Sequence, residues 1–247
     1  ITLPARKLSE IITKLPDNPI TFSLNTENNQ TSITCGNTKY DIIGISATEF
    51  PSKLDEEILK ESKNAVELEI QPFLKAIKQT VFASASYDTN NVLSGVYCHI
   101  SDQTLEMAAT DGNRLSRVIE KITHKDEKEI TAIIPSKTLS EFMRFVAGSA
   151  DDKVSVTVKS GQVLFKLKDR HFTSRLIEGQ YPKYQQLIPE KSENIAIVKR
   201  EEFISALDRS SAMVNERTNI VKMIFADNKL LLKADTPDLG DSMDLID

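Results

Sequence analysis

The feature that most constrains this chain is that it repeats itself. The stretch "LPARKLSEIITKLPDNPITFSL" near the N-terminus resembles "IPSKTLSEFMRFVAGSADDKVSVTV", and the shared Leu-Ser-Glu falls at 8–10 and 139–141, a displacement of 131. Glu-Phe-Pro at 49–51 answers Gln-Tyr-Pro at 180–182 at the same displacement. A second pair, "IQPFLKAIKQT" and "KREEFISALDRSS", sets Phe73 against Phe203; "QTLEMAATD" and "NKLLLKADT" then set Leu105 against Leu230. The unit is therefore about 130 residues long, and 247 residues hold just under two of them, beginning mid-unit. The economical parse has the second half of a first domain at 1–57, a complete second domain at 64–190 and the first half of a third at 194–247. The polar stretches "SKLDEEILKESKN" and "PEKSEN" read as the linkers. The chain opens on "ITLPARKL", a strand-to-helix junction, and stops at "SMDLID", the start of a strand; both ends are expected to continue in a longer polypeptide.

Within the unit the hydrophobic period switches. Leu8, Ile11, Ile12 and Leu15 recur at helical spacing, and Leu139, Phe142, Met143 and Val146 repeat it. Phe73, Ile77 and Val81, then Phe203, Leu207 and Val214, are looser versions. Around the helices come short runs rich in Val, Ile and Thr ("AVELEI", "VLSGVYCHI", "TLEMAAT", "ITAII", "KVSVTV", "VLFKLK", "FTSRLI"), broken by Asp-Asn, Ser-Gly and Asp-Gly turn signals. Each half-unit reads as a strand, a helix and several antiparallel strands, which is an α+β class with helices on one face of the sheets.

A hydrophobic share of 40% with 27% charged residues fits a soluble globular chain. No apolar run reaches the roughly 18 residues of a membrane span. The N-terminal residues lack the basic-then-apolar pattern of an export signal. Cys35 and Cys98 lie far apart without Cys-x-x-Cys spacing, so each is expected to fill a strand position, and the cytoplasm is the default location. The net charge of −5 argues against a simple nucleic-acid binder unless positive charge is segregated. It is segregated: segments 4–15, 72–85, 136–147 and 200–214 hold nine basic and five acidic residues, leaving the rest strongly acidic. Solvated helix faces carry some charge in any case. An acidic chain with basic helices also suits loose contact with a phosphate backbone.

One stretch invites a catalytic reading. "AATDGNRLS", residues 108–116, gathers Asp111, Asn113 and Arg114 around one turn. A catalytic Asp needs a base, nucleophile or metal beside it. His99, His124 and His171 lack metal-ligand spacing, no Gly-rich phosphate loop is present, and "SAS" at 84–86 is not a nucleophile elbow. The plainer reading is a tight hairpin in which Gly112 supplies a positive φ. That leaves Arg114 and Leu115, just past the turn, unaccounted for.

"TLPARKL", "AATDGNRLS", "IIPSKTLSEFM" and "FTSRLIEGQYPKYQQLIP" together resemble the bacterial DNA sliding clamp family, the beta subunit of DNA polymerase III, in order and spacing along the whole chain. The resemblance implies repeated clamp domains with helices lining an inner face and antiparallel sheets forming the outer one. It implies a homodimeric ring, two subunits of three domains each closing head to tail around duplex DNA, and a cytoplasmic, nucleoid-associated location. No cofactor, metal or catalytic residue is implied, and an ATP-driven loader would open the ring. The implied DNA-facing residues are Arg6, Lys7, Lys14, Lys75, Lys78, Lys137, Arg144 and Arg209, with Tyr87 at a position near DNA where Gln can stand.

The same resemblance implies a peptide pocket that docks DNA polymerase, clamp-loader subunits and other proteins carrying a clamp-binding motif. It maps onto Leu93, Thr110, Gly112, Asn113, Arg114, Leu115, Pro182, Gln186 and Leu187, with further pocket residues beyond position 247. Asn113 stands where the family usually has His, and Gln186 where Arg is common; both soften the polar rim. Ring closure maps onto Tyr40 and Ile42 on one side, Met213 and Val214 on the other. Two other readings stay open at this point. One is an interaction module that keeps the pocket and has lost ring closure. The weaker one is an enzyme.

Overall fold

The computed structural model describes residues 1–49, 65–86, 91–101, 103–123, 129–215, 218–237 and 239–246. The expected first linker, Tyr87 and His124 lie outside these residues. The chain divides into two compact units, Ile1–Pro182 and Lys183–Asp247.

In the first unit the N-terminal segment forms helix α1 (Ala5–Lys14) and a meander of β1 (Ile20–Asn25), β2 (Gln30–Cys35) and β3 (Thr38–Ile43), in spatial order β1-β2-β3. The helix starts after Pro4, which needs no N–H there, and Pro16 lies just past its end. It buries Ile11 and carries Glu10 between Lys7 and Lys14, at 2.8 and 2.9 Å. Thr2 and Ile45 exchange both backbone hydrogen bonds, at 2.8 and 2.9 Å, closing the segment on itself.

The rest of this unit is built from two similar halves. The first contains β4 (Val66–Glu69), α2 (Ile70–Thr80), β5 (Gly95–Ser101), β6 (Thr104–Thr110) and β7 (Leu115–Lys121). The second contains β8 (Ile130–Pro135), α3 (Ser136–Val146), β9 (Lys153–Lys159), β10 (Gln162–Lys166) and β11 (His171–Arg175). The halves exchange their leading strands. Two four-stranded antiparallel sheets result, ordered β11-β10-β9-β4 and β7-β6-β5-β8. Leu68 pairs with Val154 and Val66 with Val156 in one; Val96 pairs with Ile134 and Cys98 with Ala132 in the other.

Strand exchange makes one core of both halves. Phe73 of α2 meets Phe142 of α3 at 5.4 Å between ring centroids, and Phe165 of β10 lies 4.5 Å from Phe142. Phe73, Phe142 and Phe165 are fully buried, with Leu68, Ile77, Ile134 and Leu139 around them. Both cysteines are free and buried in strands, as their spacing suggests, and burial pushes the Cys98 thiol up to about 12. Gly95 is fixed by space: an added Cβ would stand 2.6 Å from the Ile133 side chain.

The second unit has a 3-10 turn (Tyr184–Leu187), helix α4 (Arg200–Ser211) and a meander of β12 (Lys222–Ala226), β13 (Lys229–Thr236) and β14 (Gly240–Ile246). Ala206, Leu230, Leu232 and Ile246 form its small core, with Phe203 and Leu207 packed against them. Asp227 and Asn228, both at positive φ (52° and 59°), make the two-residue β12–β13 hairpin, a conformation these short polar residues tolerate. Among the described residues no helix is long and apolar enough to cross a membrane.

Candidate functional site

The "TDGN" stretch is the four-residue connection between β6 and β7. Asp111 Oδ1 accepts the backbone N–H groups of Asn113 (2.9 Å) and Arg114 (3.0 Å). Thr110 Oγ1 donates to the Arg114 carbonyl (2.7 Å) and accepts the Gly112 N–H (3.1 Å). Gly112 sits at φ +93° with open space where a Cβ would be, so its glycine is required by conformation and not by crowding. The Asn113 and Arg114 N–H groups, and then the Arg114 side chain, hold the Asp111 carboxyl below its ordinary range. The Asp is thus consumed in shaping the turn. Among the described residues no cluster of His, Cys, Asp and Glu could hold a metal.

The turn aims its flank. Arg114 Nε reaches Asp111 Oδ2 at 3.1 Å, and the guanidinium lies 5.7 Å from the centroid of the exposed Phe82 ring. Leu115 opens β7 half-buried. Leu93 is also half-buried, on a 3-10 turn (Val92–Ser94) whose Leu93 N–H is capped by Asn91 Oδ1 at 2.9 Å. Neither leucine is sealed in the core. Thr110, by contrast, is buried, and its N–H donates to the Tyr181 hydroxyl (3.2 Å), which donates in turn to the Gly95 carbonyl (3.4 Å). Tyr181 also packs 5.6 Å from Tyr97. Burial pushes the Tyr181 phenol upward, so it stays a neutral donor. One side chain therefore ties the start of β5 and the end of β6 to the segment entering Pro182, which is exposed.

Six of the nine expected pocket residues, Leu93, Thr110, Gly112, Asn113, Arg114 and Leu115, stand on these neighbouring turns and strand ends, and Pro182 follows Tyr181 directly. Gln186 and Leu187 belong to the second unit, on its 3-10 turn, where buried Tyr184 anchors the turn and Leu187 stays 69% exposed. Sequence reasoning missed Tyr181 and Phe82. The repeat held a signal for Tyr181: its counterpart at the Glu-Phe-Pro position is Phe50, so the hydroxyl is an addition specific to the second copy of the repeat. Phe82 sat inside a helical apolar pattern and gave no sign of pointing outward.

The expected DNA-facing residues are exposed on the helices, but most carry a carboxylate partner. Lys7 and Lys14 share Glu10, Lys75 meets Glu120 at 2.7 Å, Arg144 meets Glu141 at 2.9 Å, and Arg209 meets Asp244. Arg6, Lys78 and Lys137 have no ion pair among the described residues. Lys137, in the first turn of α3, borders a cavity of about 580 Å³ lined also by Phe82, Ser84, Ser94, Thr138 and Phe172.

Tyr40 and Ile42 lie on β3, an edge strand, opposite Ile33 and Thr31 and on the same half-buried face. Met213 and Val214 follow α4. The Met213 N–H bonds the Ser210 carbonyl (3.1 Å), and the Met213 carbonyl accepts from Thr236 Oγ1 (3.0 Å).

The comparisons agree with this architecture. Residues 1–55, 67–183 and 185–247 match the families described as the N-terminal, central and C-terminal domains of the DNA polymerase III beta subunit. The beta sliding clamp of Synechococcus elongatus is 31% identical over 250 residues, covering 100% of this chain and 65% of that protein. The beta sliding clamp of Synechocystis is 34% identical over 259 residues, covering 97% and 65%. The crystal structure of the DNA polymerase sliding clamp from Bacillus subtilis superposes with a TM-score of 0.86 at 30% identity, covering 99% of this chain and 63% of that one. Repeated α+β domains of this topology define a sliding-clamp fold. The chain belongs to the DNA polymerase III beta subunit, or beta sliding clamp, family, and it spans just under two thirds of the length of these relatives.

Proposed function

We propose that this chain acts in a DNA polymerase processivity factor: a non-catalytic head-to-tail ring dimer that encircles duplex DNA, slides along it and docks polymerase, loader and repair proteins through a hydrophobic peptide pocket. In this reading 1–57, 64–190 and 194–247 belong to three successive clamp domains.

The observation that carries it is the state of the helix charges. A ring retains DNA by topology, so its lining needs only weak phosphate contact; each uncompensated cation adds to the grip and to its salt dependence. Here Glu10, Glu120, Glu141 and Asp244 offset most of the helix cations, leaving Arg6, Lys78 and Lys137 without an ion pair among the described residues. That pattern suits sliding better than tight binding. For docking, the "TDGN" turn supports a rigid wall: Thr110 and Asp111 fix the backbone, and Arg114, Leu115 and Leu93 supply a polar rim and an apolar floor without being buried themselves. Asn113 presents an amide at that rim where a His would present an imidazole.

The test is retention on a plasmid circle. The loaded ring is expected to stay on closed circular DNA and to leave once the circle is linearised. Equal retention on both forms would reject the topological mechanism.

A further inference from the structure

One aromatic ring beside the "TDGN" turn contributes nothing to the core. Phe82 lies in the 3-10 turn Val81–Ala83 that follows α2, and it is 57% exposed. The turn is fixed without it. Ala83 is fully buried, and the Ser84 hydroxyl and N–H both donate to the Val81 carbonyl, at 2.8 and 3.2 Å. The Ser116 hydroxyl of β7 donates to the Gln79 carbonyl near the end of α2, which holds this turn beside Arg114 and Leu115. A lone exposed apolar side chain is ordinary. This one is covered on one side by a cation: the Arg114 guanidinium stands 5.7 Å from the ring centroid.

The same guanidinium is held on a second side. Its Nε donates to Asp111 Oδ2 at 3.1 Å, while its Nη groups have no partner among the described residues and the side chain is 56% exposed. A planar fork already held on two sides loses little freedom when a ligand meets its outer edge. Asp111 also decides what that ligand can be. The Asn113 and Arg114 backbone N–H groups keep its carboxyl ionised, so Arg114 is already neutralised. A second carboxylate at the Nη edge would be attracted by Arg114 and repelled by Asp111; a carbonyl oxygen meets donors without that repulsion.

The fold does not require either partner of this contact. At the displacements that set Phe73 against Phe203 and Leu105 against Leu230, Phe82 falls on Ala212 and Arg114 on Leu239. The ring and the guanidinium are thus additions to the central copy of the repeat, on the wall that carries Leu93 and Leu115.

We propose that Phe82 is a positioning residue of the docking wall: its ring and the Asp111 carboxylate hold the Arg114 guanidinium between them, so that the free Nη edge takes a neutral carbonyl of a partner peptide in preference to a carboxylate. The ring's exposed remainder packs the apolar side chain next to that carbonyl. This rests on the docking reading above and names what one part of the wall recognises.

Fluorescence anisotropy on the whole chain tests it, with a labelled peptide carrying one Gln followed by apolar residues. Phe82→Ala, at the wild-type thermal midpoint, is expected to weaken the peptide roughly two- to five-fold. Phe82→Leu should weaken it as well, because it has no ring face, and Phe82→Tyr should restore it. In an Arg114→Ala background Phe82→Ala should add little. Wild-type affinity in Phe82→Ala, or its full effect persisting without Arg114, overturns the proposal while the docking reading stands. Unchanged affinity in Arg114→Ala alone overturns the docking reading and this proposal with it. The same peptide with Glu in place of Gln should bind more weakly to the wild type, and Asp111→Asn should narrow that gap; an unchanged ratio overturns the preference for a neutral carbonyl. A readout free of any ligand is the Arg114 Nε–H proton resonance, which Phe82→Leu should shift by removing the ring current. An unmoved resonance overturns the contact itself.

Discussion

β9 and β1 occupy the same place in successive repeats, and they differ in almost every buried position. Along β9, Val154, Val156 and Thr157 are buried; along β1 every residue is exposed. Their sequences, "KVSVTVK" and "ITFSLN", alternate equally well. The difference is the neighbour. β9 has β10 on one side and β4 on the other, whereas among the described residues β1 has β2 alone. Burial in this fold is therefore a property of two exchanged halves and not of any one meander.

The largest test of that contrast is in the cores. Phe142→Ala removes a ring packed on both Phe73 and Phe165 and should destabilise the central region by about 3–5 kcal/mol. Phe203→Ala in α4, partly buried against a much smaller cluster, should cost roughly 1–2 kcal/mol by the same area argument. Denaturant unfolding followed by amide exchange in each region separates the two. Equal losses would mean that the terminal unit is packed as well as the central one.

Tyr181→Phe sharpens the contrast between repeats by giving the second copy of the repeat the residue type of Phe50. The buried Thr110 N–H then loses its acceptor, a change of about 1–3 kcal/mol. Faster exchange of the Thr110 amide is the expected signature, and protection unchanged from wild type would mean that the hydroxyl bridge contributes nothing. On the same wall, Arg114→Ala or Leu115→Ala should weaken a Gln-plus-hydrophobic partner peptide by ~1–3 kcal/mol, read by fluorescence anisotropy, with turn geometry intact. Unaltered affinity would place docking elsewhere.

Much of this was legible in the sequence, for reasons that also explain what was not. Helical spacing at Leu8, Ile11, Ile12 and Leu15 locates α1, and Asp111-Gly112 marks a true turn, because both signals are local. Period-two alternation tells a strand which face is apolar, not which strand lies beside it. The exchange of β4 and β8 between halves was accordingly invisible. "VLSGVYCHI" reads as one strand, yet Val92–Ser94 is a 3-10 turn, since Asn91 caps it and Gly95 restarts the chain against Ile133. Charge counting found the basic helices. It could not find Lys75 against Glu120 or Arg209 against Asp244, partners 45 and 35 residues apart.

Those partners set a smaller prediction. Lys137→Ala should lower the salt slope of DNA association by about one unit of log K against log salt, uniformly across sequences. Lys14→Ala should lower it less, because Lys14 already shares Glu10 with Lys7. Equal slopes for the two variants would break the link between pairing and grip.

The smallest effect contrasts two carboxylates held down by different means. Glu10 sits at about 2 through its contacts with Lys7 and Lys14, both in water. Asp111 is lowered from the ordinary 3.8 first by the backbone N–H groups of Asn113 and Arg114. A folded-state pKa below the unfolded one means that the stabilisation is complete above the ordinary value and is lost as pH falls through the depressed one. Between those two values the β6–β7 turn should keep its amide shifts at Asn113 and Arg114, though a free aspartate would already be half protonated. Added salt should raise the Glu10 midpoint by screening its lysines. It should move Asp111 less, because covalently fixed amides 2.9 and 3.0 Å away are not displaced by counterions. Asp111→Asn keeps an acceptor oxygen for both amides and should hold the turn while removing its acid transition. A titration in which both carboxylates shift equally with salt would mean that Arg114, and not the turn backbone, sets the state of Asp111.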